Sequence, residues 1–264
     1  MKYFIVADVH SFYNELMKAL SDAGWENAED QCFVSLGDLC DRGPDTIKCL
    51  QFVNSLPSNR KILIRGNHED LMEQAVCRKI FYMHDIHNGT VKSAEHIALH
   101  EGVTIKEQGL SESDDEEILE AVKNSKLWNE YINSTVDFAE VGNNIFVHGW
   151  IPCSDVPKKD KWEVIIGKKY EKVPNWRSES ADWNGARWIN GMQAWEDGAR
   201  IRGKTIWCGH WHTSWGHAYL HNNGVEFPDK GIKAHFSPFV DKGIVAMDAC
   251  TAFSHKVNCV MIEV

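Results

Sequence analysis

Five apolar runs in this chain each end in a polar block, and the blocks share one chemistry. Tyr3 to Ala7 leads into Asp8-Val9-His10. Gln31 to Leu36 leads into Gly37-Asp38-Leu39-Cys40-Asp41-Arg42-Gly43. Lys61 to Arg65, built on Ile62-Leu63-Ile64, leads into Gly66-Asn67-His68-Glu69. The run from Asn144 ends in Val147-His148-Gly149, and Thr205 to Cys208 ends in Gly209-His210-Trp211-His212. One Asp after a strand is ordinary, because Asp suits turns and helix caps. Five blocks in order are far more restrictive. In open α/β sheets, ligands bind beyond the carboxyl ends of strands, so five strands would deliver polar side chains to one edge.

The first third alternates these runs with helical patterns. Asn14 to Ala23 places Leu16, Ala19, Leu20 and Ala23 on one face, and Asp45 to Ser55 spaces Ile47, Leu50 and Val53 helically. Strand, helix, strand, helix, strand implies βαβ units and a parallel sheet. Residues 71–136 read as a polar helical insert. Within it, Ser111-Glu112-Ser113-Asp114-Asp115-Glu116-Glu117 reads as the acidic first turn of a helix. Strands return at Asn144–His148, Thr205–Cys208, Gly243–Met247 and Val257–Val264. Residues 156–202 form an insert rich in tryptophan, with Trp162, Trp176, Trp183, Trp188 and Trp195, expected to serve core and loop packing. The expectation is one domain over residues 1–264 carrying both inserts.

Composition removes several classes. No apolar run approaches the roughly 18 residues that cross a bilayer, and the apolar start before Asp8 is too short for an export signal. The net charge of −10 argues against a basic nucleic-acid surface. The eight cysteines are scattered without a CxxC pair, as expected of reduced thiols in a cytoplasmic protein.

The block residues offer carboxylate oxygens, imidazole nitrogens and one amide oxygen, with no thiolate. That set suits Mn, Fe or Zn better than a structural zinc cage. Two ions a few ångströms apart need a bridging carboxylate, and Asp38, in the middle of the set, is the natural bridge.

DxH, GDxxDRG, GNHE, HG and GH, in this order from Asp8 to His210, resemble the motifs of the calcineurin-like metallophosphoesterases. The Arg of GDxxDRG and the Glu of GNHE are similar to the branch holding serine/threonine phosphoprotein phosphatases, their bacterial and phage relatives, and symmetrical diadenosine tetraphosphatases. The resemblance implies an α/β fold of two mixed β-sheets packed as a sandwich flanked by helices. It implies two divalent ions, manganese first, with iron or zinc as alternatives. Asp8 and His10 would bind the first ion, Asp38 would bridge, and Asn67, His148 and His210 would bind the second. His68 would protonate the leaving oxygen, oriented by Asp41. Arg42 would grip phosphate oxygens. The family's second phosphate-binding Arg matches Arg187, 23 residues before His210, with Arg177 as runner-up. His212 stays outside the expected ligands. Two positions depart from the family pattern: Ser11 stands where Gly usually follows the first His, and Trp150 follows His148-Gly149 where a small residue is common.

The implied activity is hydrolysis of phosphomonoesters, phosphoserine or phosphothreonine in proteins among them, by in-line attack of a metal-bridging hydroxide. The alternative is a nucleotide hydrolase of the symmetrical diadenosine tetraphosphatase type, with Trp150, Trp211 or Trp215 as a base-stacking slot. A non-catalytic metal-binding module on the same fold would have lost ligands or His68, and none is missing. Partners would be phosphorylated substrates, with no membrane and no nucleic acid; the oligomeric state stays open.

Overall fold

The computed structural model describes residues 1–105, 112–155 and 169–264. Ser111 of the acidic stretch and Trp162 of the tryptophan-rich segment lie outside the described residues. The chain opens with β1 (Lys2–Val6), α1 (Tyr13–Asp22), β2 (Gln31–Ser35), α2 (Thr46–Ser55), β3 (Lys61–Ile64) and α3 (Asn67–Arg78). Helices at Met83–Asn88, Thr90–His100, Glu112–Asn124 and Lys126–Ile132 follow before β4 (Thr135–Val136). The acidic stretch therefore does open a helix. Then come β5 (Ala139–Val141), β6 (Asn144–Phe146), an antiparallel pair β7 (Cys153–Asp155) and β8 (Tyr170–Lys172), and β9 (Thr205–Cys208). The chain closes with β10 (Phe239–Asp241), β11 (Ile244–Ala246) and β12 (Cys259–Glu263).

Two mixed sheets result. One has the order β12-β1-β2-β3-β4, with β1 to β4 parallel and β12 antiparallel to β1. The other has the order β10-β11-β9-β6-β5, parallel in its centre and antiparallel at both edges. Side chains alternate across a strand with period two, and this alternation sorts the core into layers. Ile5, Ala7, Val34, Leu36 and Ile64 of the first sheet pack with Phe146, Trp207, Val245 and Met247 of the second. Phe4, Val6, Phe33 and Leu63 turn the other way, onto the helices around Leu16, Leu50 and Trp128. Ile145, Ile206 and Ile244 sit in register across the second sheet and face Trp150, Trp176, Trp183 and Trp195. The layers are thus helices, sheet, sheet, helices, as the resemblance implied. Each large side chain in these layers contributes about 1.5–3 kcal/mol by burial.

Strand boundaries differ from expectation at the site. The strand from Asn144 ends at Phe146, and Val147 and His148 lie beyond it, though the Val147 amide still donates to Trp207 O (3.0 Å) and His148 O accepts from the Gly209 amide (2.7 Å). All eight cysteines are free, four of them buried. Among the described residues no helix is long and apolar enough to cross a membrane.

Candidate metal centre

The blocks converge where the central strands of both sheets end. Their backbone is tightly coiled: Asp8, His10, Ser11, Asp38, Asp41, Arg42 and His210 all take φ between 50° and 76°. That left-handed region disfavours most side chains, though Asp and His tolerate it better. Ser11 (φ 61°) shows what the missing Gly normally supplies at this turn. Ser11 keeps the conformation, and its hydroxyl hydrogen-bonds with that of Thr46 at 3.0 Å. The β1 and β2 loops are stitched together, with the His10 amide donating to Asp38 O (2.9 Å) and the Ser11 amide to Leu39 O (2.8 Å). Gly66 is needed for close approach, since a Cβ there would collide with Asp38 Oδ1 and the Asp38 backbone.

Four of the expected ligands meet closely. Asn67 Oδ1 lies 2.8 Å from His148 Nε2 and 2.9 Å from His210 Nδ1, and His148 Nε2 lies 3.4 Å from Asp38 Oδ1. The other His148 nitrogen donates to Leu36 O at 2.7 Å, which fixes the ring. On the other side of Asp38, His10 Nε2 is 3.9 Å from Oδ2, and His10 Nδ1 donates to Cys40 O at 3.0 Å. Two donor groups emerge, His10/Asp38/His68 and Asp38/His148/His210, each with ligand atoms within 4.8 Å of one another. Asp38 belongs to both. Asp8 is buried beside them, but both its carboxylate oxygens accept from the His210 amide at 3.0 Å, and it is in neither group. His212 turns away to Glu226 (2.8 Å).

Electrostatics follow from burial and crowding. Burial alone would raise the Asp38 carboxyl, but His148, His68 and His10 around it hold it well below the usual range. Burial would lower His148, yet Asp38 beside it lifts it to about 10. Burial, with His148 nearby, drops His210 to about 3, so His210 is neutral. Burial, with Asp248 nearby, holds the Asp8 carboxyl well above the usual range. A neutral His210 ring has one N–H for two oxygens, Asn67 Oδ1 and the Trp188 carbonyl. A cation at this nitrogen would remove that shortfall. The donor set, free of thiolate and centred on a shared carboxylate, fits divalent ions.

The catalytic candidates stand alongside. His68 Nδ1 donates to Asp41 Oδ2 at 2.7 Å, and the Thr90 hydroxyl donates to the same oxygen at 2.7 Å. Burial would lower His68, but Asp38 and Asp41 carry it above its ordinary value. Its other nitrogen lies 3.2 Å from Arg42 Nη2 and 3.8 Å from Asp38 Oδ2. Arg42 itself is exposed. Arg187, the expected second phosphate-binding Arg, is engaged by other side chains. Its guanidinium is only 6% exposed and is engaged by Asp70 (2.7 Å), Asn184 (2.6 Å) and Asp137. These carboxylates compete with any phosphate for it. Arg177 pairs with Glu140 at 2.5 Å and lies over Trp176 at 4.1 Å. Trp150, one candidate for a base-stacking slot, is core: it is 1% exposed and donates to Ala199 O at 2.9 Å.

Sequence reasoning missed a buried layer behind the site. Glu69 accepts from the Asp38 and Leu39 amides (both 3.0 Å), the Gly66 amide (2.8 Å) and the Tyr131 hydroxyl (2.7 Å). It caps α3 and clamps the Asp38 loop at once. Its place three residues after the N-cap Gly66 is a capping-box signal that could have found it. Tyr131, Thr90 and Ser93, which accepts from the Asp41 amide at 2.8 Å, had no such signal. Glu69→Ala leaves three amides and a hydroxyl without their partner. At about 1–3 kcal/mol for each buried orphan, the metal-free variant should lose at least roughly 3 kcal/mol in urea unfolding. A loss under about 1 kcal/mol would contradict this clamp.

Residues 1–214 match the family described as calcineurin-like phosphoesterases. A stretch of 69 residues is 38% identical to the symmetrical bis(5'-nucleosyl)-tetraphosphatase of Proteus mirabilis, covering 26% of this chain and 24% of that protein. A stretch of 68 residues is 38% identical to serine/threonine-protein phosphatase 1 of Salmonella typhimurium, covering 26% and 30%. The matched stretch thus spans 24% to 30% of these relatives' length. Among solved structures, a mutant cold-active protein tyrosine phosphatase aligns with 99% of this chain and 75% of its own, at a TM-score of 0.52 and 14% identity. That likeness concerns the fold alone.

Proposed function

The chain belongs to the calcineurin-like phosphoesterase family, and from that premise we propose that it is a metal-dependent phosphatase. It would hydrolyse phosphomonoesters at a pair of divalent ions, with manganese first. Asp38, shared by two donor groups beside the His68–Asp41 pair, is the observation that carries this reading.

The ions would supply Lewis acidity toward phosphoryl oxygens and lower the pKa of bound water. Asp8, His10 and Asp38 would hold one ion, and Asp38, Asn67, His148 and His210 the other. Arg42 is exposed and lies 3.2 Å from His68 Nε2, and its fork would pair with phosphate oxygens and offset developing charge. Asp41 fixes the proton of His68 on Nδ1 or shares the charge of the imidazolium, leaving Nε2 to serve the leaving oxygen. The Thr90 and Ser93 bonds hold Asp41 itself. We place both inserts, 71–136 and 156–202, in one domain, and the protein in a reducing cytoplasmic setting that agrees with its free thiols.

A second reading is hydrolysis of a dinucleoside polyphosphate, favoured by an aromatic side chain open to solvent beside His210. One experiment tests both. Metal-stripped protein receives Mn, Fe, Zn or Mg, and turnover is measured on p-nitrophenyl phosphate, a phosphothreonine peptide and diadenosine tetraphosphate. Turnover that returns with metal supports the centre, and the ratio among substrates chooses the reading. No turnover with any ion, in folded protein, overturns the proposal.

A further inference from the structure

Trp188 is the most exposed tryptophan among the described residues, with Trp25, Trp211 and Trp215 only partly exposed. It is 50% exposed, whereas Trp176, Trp183 and Trp195 of the same segment are buried. Leaving half an indole in water forgoes stabilisation that its neighbours obtain. Its position is notable for another reason. The indole meets the His210 ring edge-on, with centroids 5.7 Å apart and planes at 81°. Trp211 flanks the same imidazole at 6.0 Å.

The mount is rigid. The Trp188 amide donates to Gly185 O at 3.1 Å, and its carbonyl accepts from the His210 ring. Two residues on, Asn190 caps the helix Gly191–Glu196, accepting from the Met192 and Gln193 amides at 3.1 and 3.2 Å. A flat apolar surface held in place beside a ligand loses little freedom when something stacks on it. A phosphate held at His210 would lie next to the ring that this indole abuts.

We infer that Trp188 is the specificity-determining residue of the site, and that its open face stacks the purine base of a nucleotide leaving group. The inference rests on the phosphoesterase reading above. A base has a π-face that stacks on an aromatic side chain regardless of its sequence identity. A phosphoserine or phosphothreonine leaving group has no such face, so a phosphopeptide would leave the indole uncovered.

The test uses two hydrolysis-resistant phosphonates, the analogues of AMP and of ribose 5-phosphate. They share the phosphoryl group and sugar and differ in the base. Calorimetry on manganese-loaded protein gives both dissociation constants. The AMP analogue is expected to bind roughly tenfold tighter, as stacking of one base predicts. Trp188→Ala and Trp188→Leu should bring the two ligands to within about twofold of each other, while Trp188→Phe should keep most of the preference. Because the carbonyl to His210 belongs to the backbone, elemental analysis should find the same metal content in every variant.

A preference for the AMP analogue that survives in Trp188→Leu overturns the inference. So does the absence of any preference in the unaltered protein, or a phosphothreonine peptide whose affinity alone depends on Trp188. Turnover of p-nitrophenyl phosphate is read separately on the same preparations. Base preference without turnover would sink the hydrolytic reading and leave the platform standing. Turnover without base preference would do the reverse.

Discussion

Asp38→Asn protein is expected to fold, to bind divalent ions at least about 100-fold more weakly, and to lose metal-dependent turnover. Changes one layer further out already cost metal sites 10–100-fold, and Asp38 lies in both donor groups. Asn keeps the shape and can still accept from the His68 amide, which donates to Asp38 Oδ1 at 3.0 Å. What it removes is the negative charge at the centre of His10, His68 and His148. The metal-free protein should register that loss as well. His148 is raised from near 6.5 to about 10, chiefly against burial by the Asp38 charge. A raised histidine contributes stability that is complete below its ordinary value and is lost as pH climbs through the raised one. The gap in stability between unaltered and Asp38→Asn protein, both metal-free, should therefore be present at pH 7 and shrink toward pH 10. Denaturant unfolding across that range measures it. A gap that widens with pH would contradict the assignment of the charge.

His68→Asn should behave differently. We expect kcat to fall by roughly 10²–10⁴, the range for a lost proton-transfer group, while metal content stays unchanged. The loss should depend on the leaving group. p-Nitrophenolate leaves without a proton, so its phosphate ester should suffer less than a phosphoserine or sugar phosphate. Asp41→Asn should share the pattern more weakly, because it removes the negative charge that His68 Nδ1 faces at 2.7 Å while leaving the ring and an acceptor oxygen in place. The geometry permits a rival role, since His68 is grouped with His10 and Asp38 as a donor set. If His68 is a ligand, His68→Asn loses metal and slows both kinds of substrate equally. Elemental analysis beside paired kinetics separates the two roles.

Most of the sheet scaffold was legible because its signals are local. The runs ending at Ala7, Leu36, Arg65 and Cys208 announce strands by composition, and the two helices between the first three announce themselves by period. The layering was legible only as a resemblance. Nothing in Ile145 or Phe146 alone says that the first faces tryptophans and the second the opposite sheet. The site was readable where its chemistry sits at strand ends, as with Asp38, Asn67, His148 and His210. It was not readable where long-range contacts decide. Arg187 lies at the expected distance along the chain, yet Asp70 and Asp137, from other elements, claim its guanidinium. Tyr131 supports Glu69 from 62 residues away, a pairing that no spacing rule encodes. Of the three tryptophans read as a stacking slot, Trp150 alone is core, while Trp211 and Trp215 are partly exposed and Trp211 flanks His210. Trp150 adjoins a ligand in sequence but points into the core, whereas Trp188 adjoins His210 only in space.

The most direct test of the account counts ions. Protein stripped of metal, reloaded with manganese and dialysed is assayed for bound manganese per chain, beside His10→Ala and His148→Ala. Two ions in the unaltered chain, with each variant losing one or both, is the predicted result. One ion or none in folded protein, or a content indifferent to both substitutions, would contradict a paired centre built on Asp38.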